Sequence, residues 1–202
     1  MRLLCDSDAF CKLSAVGLFK DAAALLGGVP SEVACLPALP HMLRKSKGLR
    51  AQLGGALADS LAPLADAQPQ APAASPEVAA LLTGKDNIDV GEVQLLALAA
   101  KETLLLVSHD KRALVAVSMV AELVPMLAGK IVCLEALMLG LCMSLGVDKV
   151  RAAVARNRHV DKVFQVCFSG GGTPVECLAS YLRDLQRAVE PLVLWSSDGG
   201  VP

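Results

Sequence analysis

Aromatic side chains are nearly missing, with four Phe, one Trp and one Tyr in 202 residues. A base-stacking platform of the RRM or OB type needs several rings on one surface, so that route to single-stranded nucleic acid is excluded. An excess of either charge is missing too. Nineteen Lys and Arg face 20 Asp and Glu, a formal net charge of −1, which excludes histone-like or ribosomal binding driven by global positive charge. The seven cysteines lack CxxC or other ligand spacing. All but Cys11 sit in apolar runs, where a reduced cysteine behaves as a small buried hydrophobe. The N-terminus turns acidic at Asp6, too early for a signal peptide. The most apolar run, Ile131 to Val147, carries Glu135 and falls short of the ~20 residues a spanning helix needs. A cytoplasmic protein without a membrane segment is expected.

What the chain does have is aliphatic material: 54% of it is hydrophobic and 19% charged, ample for a core. Leu3-Leu4-Cys5 reads as a strand ending at Asp6-Ser7-Asp8, and apolar residues from Leu13 to Leu26 recur at helical spacing. Val33 to Leu36 is a second short apolar run, and residues 41–62 read as a helix with a basic stripe of Arg44, Lys45, Lys47 and Arg50. The Pro- and Ala-rich stretch at 63–76 reads as a loop. Ser75-Pro76 opens a helix that stops near Gly84, and Asp89 with Glu92 forms a capping box for the helix from Val93 to Ala100. Leu104 to Val107 suits a buried parallel strand, and a helix from Lys111 to about Val120 follows. Lys130 to Cys133 is one more strand, Leu134 to Leu145 and Val147 to Arg156 are helices, and Val163 to Phe168 reads as a strand. Thr173 and Glu176 suggest a capping box for the last helix. Short apolar runs alternating with amphipathic helices indicate α/β with a mainly parallel sheet.

Two of the apolar runs end in acids, Asp6 and Asp8 after the first and Asp110 after Leu104 to Val107. In open α/β sheets sites form at the carboxyl ends of strands. Glu92 stands in the first turn of the helix that feeds the second of these strands. Carboxylates meeting there repel one another unless a hard cation neutralises them, and all-oxygen ligands favour Mg²⁺ or Mn²⁺ over zinc. Such a centre supports phosphodiester hydrolysis. The alternative is that Asp6, Asp8 and Asp110 cap helices and Glu92 only closes its capping box with Asp89.

Asp6-Ser7-Asp8 followed by Cys11-Lys12-Leu13-Ser14-Ala15-Val16-Gly17-Leu18 resembles the opening of PIN-domain proteins. Asp89-x-Gly91-Glu92-x-Gln94-Leu95-Leu96-Ala97-Leu98-Ala99 resembles the mid-domain helix of their predicted nucleic-acid-binding subfamily. Leu104 to Ala113, through Ser108-His109-Asp110-Lys111-Arg112, resembles its strand-then-Asp segment, and Gly129 to Gly140 its later strand and Leu-rich helix. The resemblance covers about residues 1–40 and 86–150. It implies a three-layer α/β/α sandwich whose acids bind Mg²⁺ or Mn²⁺ and cleave single-stranded RNA, leaving a 5′-phosphate and a 3′-hydroxyl. Asp6, Glu92 and Asp110 would be the catalytic metal ligands, Asp8 an auxiliary ligand, and Ser108 a hydroxyl near metal or phosphate.

The chain departs from the family where a Glu normally follows the second strand, since Leu36-Pro37-Ala38-Leu39-Pro40-His41-Met42 holds no acid. Lys111 and Arg112 occupy the place of a further Asp. These departures keep open a catalytically inactive PIN-like module that binds RNA or a protein partner (an antitoxin among the candidates), as a homodimer through aliphatic helices. An unrelated α/β interaction protein is the third reading. Lys111 and Arg112, beside Asp110, are placed to contact phosphate. The stripe at 44–50 and the cluster Arg151, Arg156, Arg158, His159 and Lys162 read as solvated helix faces. His41, His109 and His159 lack metal spacing, although His109 adjoins Asp110. Ser169 to Thr173 lacks the Lys of a P-loop and reads as a connecting loop. The expected organisation is a PIN-like domain over 1–168 and a C-terminal helical extension over 169–202.

Overall fold

Four short apolar runs form the strands β1 (Leu3–Cys5), β2 (Val33–Cys35), β3 (Leu105–Ser108) and β4 (Ile131–Cys133). The computed structural model describes residues 3–170 and 172–197. All strand pairs are parallel and the order is β2-β1-β3-β4, with Cys5 in register with both Cys35 and Val107, and Ser108 with Cys133. Side chains alternate between the two faces. Leu3, Cys5, Val33, Cys35, Val107 and Val132 enter one core, whereas Leu4, Ala34, Leu106, Ile131 and Cys133 enter the other. Strands apolar on both faces need helices on both sides, and the chain is a three-layer α/β/α sandwich.

The helices are α1 (Ser7–Ala15), α2 (Phe19–Leu25), α3 (Leu39–Lys45), α4 (Lys47–Leu53), α5 (Gly55–Asp66), α6 (Pro76–Leu82) and α7 (Val90–Lys101). After β3 come α8 (Lys111–Ser118) and α9 (Val124–Leu127), and after β4 come α10 (Leu134–Leu145), α11 (Val147–Ala155), α12 (Lys162–Ser169) and α13 (Pro174–Ala188). The first core packs α1 to α5 and most of α10 to α12; the second packs α6 to α9. α13 contributes Leu178 to the first core and Leu185 to the second, so it wraps past the β4 end of the sheet. Among the described residues, no helix is long and apolar enough to cross a membrane.

Both sheet edges are covered, which removes the free strand edge that would invite pairing with another chain. On the β2 side, Cys35 donates to the Pro69 carbonyl at 3.0 Å and accepts from the Ala71 amide at 2.8 Å. On the β4 side, the Trp195 amide reaches the Ile131 carbonyl and the Gly129 amide the Val193 carbonyl, both at 2.8 Å.

Several boundaries differ from expectation. The helix expected over 41–62 is three helices. Ser46 ends α3 and caps α4 by accepting from the Leu49 amide, and Gly54 turns the chain at φ +84° between α4 and α5. The loop expected at 63–76 begins later, because Pro63 lies inside α5. The apolar run from Leu13 to Leu26 is split between α1 and α2. Val163 to Phe168 is helix, not strand. Its buried residues Val163, Phe164, Cys167 and Phe168 recur at the i, i+1, i+4, i+5 spacing of one helix face. Thr173 is the N-cap residue of α13 but makes no side-chain capping bond.

The capping box of α7 is present, with the Asp89 carboxylate accepting from the Glu92 amide at 2.8 Å and Glu92 accepting from the Asp89 amide at 2.7 Å. Asp89→Ala should therefore cost about 1 kcal/mol of stability. Asp89→Asn, which keeps the acceptor, should stay within a few tenths of wild type, and urea melts of the two variants separate cap from charge.

Candidate active site at the strand carboxyl ends

The chain builds the sheet outward in both directions from β1, first to β2 and later to β3 and β4. The β1/β3 boundary is thus the topological switch point, where connections diverge and leave a crevice above the strand ends. Asp6 directly follows β1, and Ser108 ends β3 with His109 and Asp110 just beyond it. Glu135 enters from the first turn of α10, after β4. Glu92 comes from the first turn of α7, which lies close because Gly91 has no side chain; a Cβ there would stand 2.6 Å from Leu36 Cδ1, at the end of β2.

Asp6 is buried and fully engaged. Its Oδ1 accepts from the Ala9 amide at 2.6 Å, capping α1, and its Oδ2 accepts from the His109 amide at 2.9 Å, tying β1 to the end of β3. Burial pushes its carboxyl up, against the Ala9 and His109 amides and the Ser108 hydroxyl, which favour the charged form. Ser108 is itself buried, its hydroxyl turned to Asp6. Asp110 caps α8 through the amides of Arg112 and Ala113, at 2.8 and 3.1 Å. Partial burial would raise it, but those amides and the Arg112 guanidinium hold its carboxyl below the ordinary range. Half-buried Glu92 is pushed up to about 7, first by desolvation and further by the charges of Asp89, Asp110 and Asp6, against the Asp89 amide. These three acids thus share one end of the sheet and one electrostatic neighbourhood. Each also caps a helix, as the alternative sequence reading expected. Among the described residues no group of three or more His, Cys, Asp or Glu side chains is gathered closely enough to hold a metal ion.

Asp8 turns elsewhere, to Lys12 one helical turn on, at 2.5 Å. Lys12 is buried, and its ammonium also touches Asp161 at 2.8 Å. Asp161 caps α12 through the amides of Val163 and Phe164, and meets His109 Nε2 at 3.2 Å. Burial would raise the Asp161 carboxyl, yet His109 and Lys12 hold it far below the ordinary range. His109 Nδ1 is buried and has no hydrogen-bond partner among the described residues. Glu135 is wholly buried and pairs with Lys111 at 2.7 Å, and that ammonium also lies 5.1 Å from the centre of the Tyr181 ring.

Sequence reasoning missed this second polar cluster. Lys12 and Glu135 were visible only as lone charges within apolar stretches, and Asp161 lies 52 residues beyond His109, with no spacing to connect them. The one available signal was Asp161 standing two residues before Val163 as an N-cap, which also would have marked 163–168 as helix.

The cations are partly committed. Arg44 pairs with Asp66 and Arg50 with Asp59, both on α5, so half of the stripe at 44–50 braces helices. Arg151 donates to the carbonyls of Gly170 and Gly172. Gly171, in the Ser169 to Thr173 loop, lies outside the described residues. Arg112 is exposed, with Asp110 3.4 Å away. A hollow of about 60 Å³ lies at the end of β2, lined by Cys35, Leu36, Pro37, Pro40, Asp66 and the 68–70 segment. Comparison with protein-family models, with curated proteins and with solved structures returns no match for this chain.

Proposed function

We propose that the chain is a divalent-metal-dependent nuclease, an endoribonuclease on single-stranded RNA, with Asp6, Glu92 and Asp110 as its Mg²⁺ or Mn²⁺ centre. The observation that carries this reading is that Glu92, Asp110 and Asp6 share one end of the sheet, where the charges of Asp110 and Asp6 disfavour ionisation of Glu92. A cation relieves that repulsion, and the donors are all oxygens. Mg²⁺ is commonly held by one or two carboxylates with waters and substrate phosphate completing its shell, so a closed protein cage is not required. Glu92 and Asp110 fit this best, since Asp6 already spends both oxygens on amides. When bound, the ion lowers the pKa of a coordinated water and offsets charge on the phosphate. Exposed Arg112 supplies a phosphate contact, and Lys111 a second where its side chain reaches solvent. Buried Ser108 orients Asp6, and Asp8 stands aside with Lys12.

A second reading, a catalytically silent module that binds RNA or a protein partner, is favoured by the capping bonds that each of these acids already makes. Incubation of the purified chain with unstructured RNA decides between them. Cleavage that requires Mg²⁺ or Mn²⁺ and disappears in Glu92→Gln and Asp110→Asn, whose melts stay near wild type because an amide oxygen still caps, supports the nuclease. A melting shift with Mn²⁺ but no cleavage supports the silent module. The absence of both cleavage and a melting shift would rule out the metal centre.

A further inference from the structure

Among the described residues, two cysteines stand in contact outside the strand-end site. Cys167 lies in the buried face of α12 and Cys177 in the first turn of α13, and their Sγ atoms are 2.7 Å apart as free thiols. That is well inside ordinary sulfur contact, although longer than the ~2.05 Å of a disulfide. The other five cysteines are all buried, and Cys177 alone is only partly so. We propose that Cys167 and Cys177 are a redox modification site, closing a reversible disulfide that fastens α12 to α13 when the protein meets a hydroperoxide. The inference does not rest on the nuclease reading.

The roles follow from exposure. Cys177, the accessible thiol, attacks a peroxide oxygen as the thiolate. The O–O bond breaks, and Cys177 becomes a sulfenic acid as hydroxide leaves and takes up the released proton as water. The Cys167 sulfur then attacks the Cys177 sulfur. The S–O bond breaks, and the departing hydroxide leaves as a second water with the Cys167 proton. Two thiols lose two electrons and one hydrogen peroxide becomes two waters. Burial, with Cys177 alongside, pushes the Cys167 thiol up, which disfavours it as the first attacker. A dithiol reductant reverses the bond by exchange.

The crosslink joins two helices that border the strand-end cluster. Asp161 at the head of α12 holds Lys12 and His109, and Tyr181 of α13 lies against Lys111.

The test is thiol counting on the full chain, before and after stoichiometric hydrogen peroxide, with peptide mass mapping. The tryptic peptide Val163 to Arg183 contains both cysteines and no internal Lys or Arg. It should become lighter by two hydrogens and recover with dithiothreitol. Seven thiols in the denatured reduced chain should fall to five, the two lost being this pair. Cys167→Ala should instead leave Cys177 as a sulfenic acid that a carbon nucleophile such as dimedone traps, and Cys177→Ser should keep its six remaining thiols. Seven thiols persisting in the oxidised wild type, a disulfide between other cysteines or between chains, or equal oxidation of Cys177→Ser would overturn the proposal.

Discussion

Asp161→Ala should lose about 3–5 kcal/mol of folding stability, the range for breaking a buried ion pair from one side. The side chains of Lys12 and Asp161 are 6% and 4% exposed, so neither charge has water to fall back on. Without Asp161, the Lys12 ammonium keeps only Asp8, whose side chain is 41% exposed, and His109 Nε2 loses its acceptor. Two α12 amides lose their cap as well, worth about 1 kcal/mol. Asp161→Asn separates the parts, since an asparagine keeps the cap and loses only the charge. Urea melts should place it between wild type and Asp161→Ala, nearer the latter.

The same cluster sets a pH dependence. The Asp161 carboxyl is depressed in the folded chain, so its contribution is present above the unfolded pKa of about 3.9 and is lost as pH falls below it. For His109, burial alone would lower the pKa, but the Asp161 carboxylate outweighs it and the net direction is up. That contribution is present below about 6.5 and is lost as pH rises through the raised folded value. The pair therefore stabilises most between about pH 4 and 6.5, and Asp161→Asn should flatten both limbs.

The sheet was legible in the sequence because each strand lies in a short apolar run, Ser108 at the end of β3 excepted, and parallel strands buried on both faces leave that signature. Asp89 with Glu92 was legible for the same local reason, a capping box being a four-residue pattern. The misreading of 163–168 arose because a six-residue apolar run fits a buried strand or a helix face, and length does not decide at that size. Neither the breaks at Ser46 and Gly54 nor the use of residues 69–71 as an edge cover could be read from periodicity. The first is set by single caps, the second by which strand edge the chain reaches later. In the candidate site, Asp6, Glu92 and Asp110 could be named because each stands at the end of its own element. Lys12, Glu135 and Asp161 could not, because what makes them matter is each other, across elements far apart in the chain.

Lys111 and Glu135 should give mutational effects of opposite sign. Glu135 is wholly enclosed, and the Lys111 ammonium sits 2.7 Å from its Oε1 but outside hydrogen-bonding geometry, while neither carboxylate oxygen accepts a hydrogen bond among the described residues. Lys111 is 39% exposed, so it can turn to solvent when its partner goes, whereas Glu135 cannot. Lys111→Met should therefore strand a buried carboxylate and lose about 3–5 kcal/mol at neutral pH. Glu135→Met keeps volume, removes the desolvation cost and gives up a favourable charge in the first turn of α10, worth only about 0.3–1 kcal/mol. It should be neutral or stabilising by about 1–4 kcal/mol. The double variant should track Glu135→Met, which a melt of all three proteins at pH 7 would establish. Equal losses from the two single variants would mean that Glu135 answers to a partner other than Lys111, adding a fourth acid to the strand-end set.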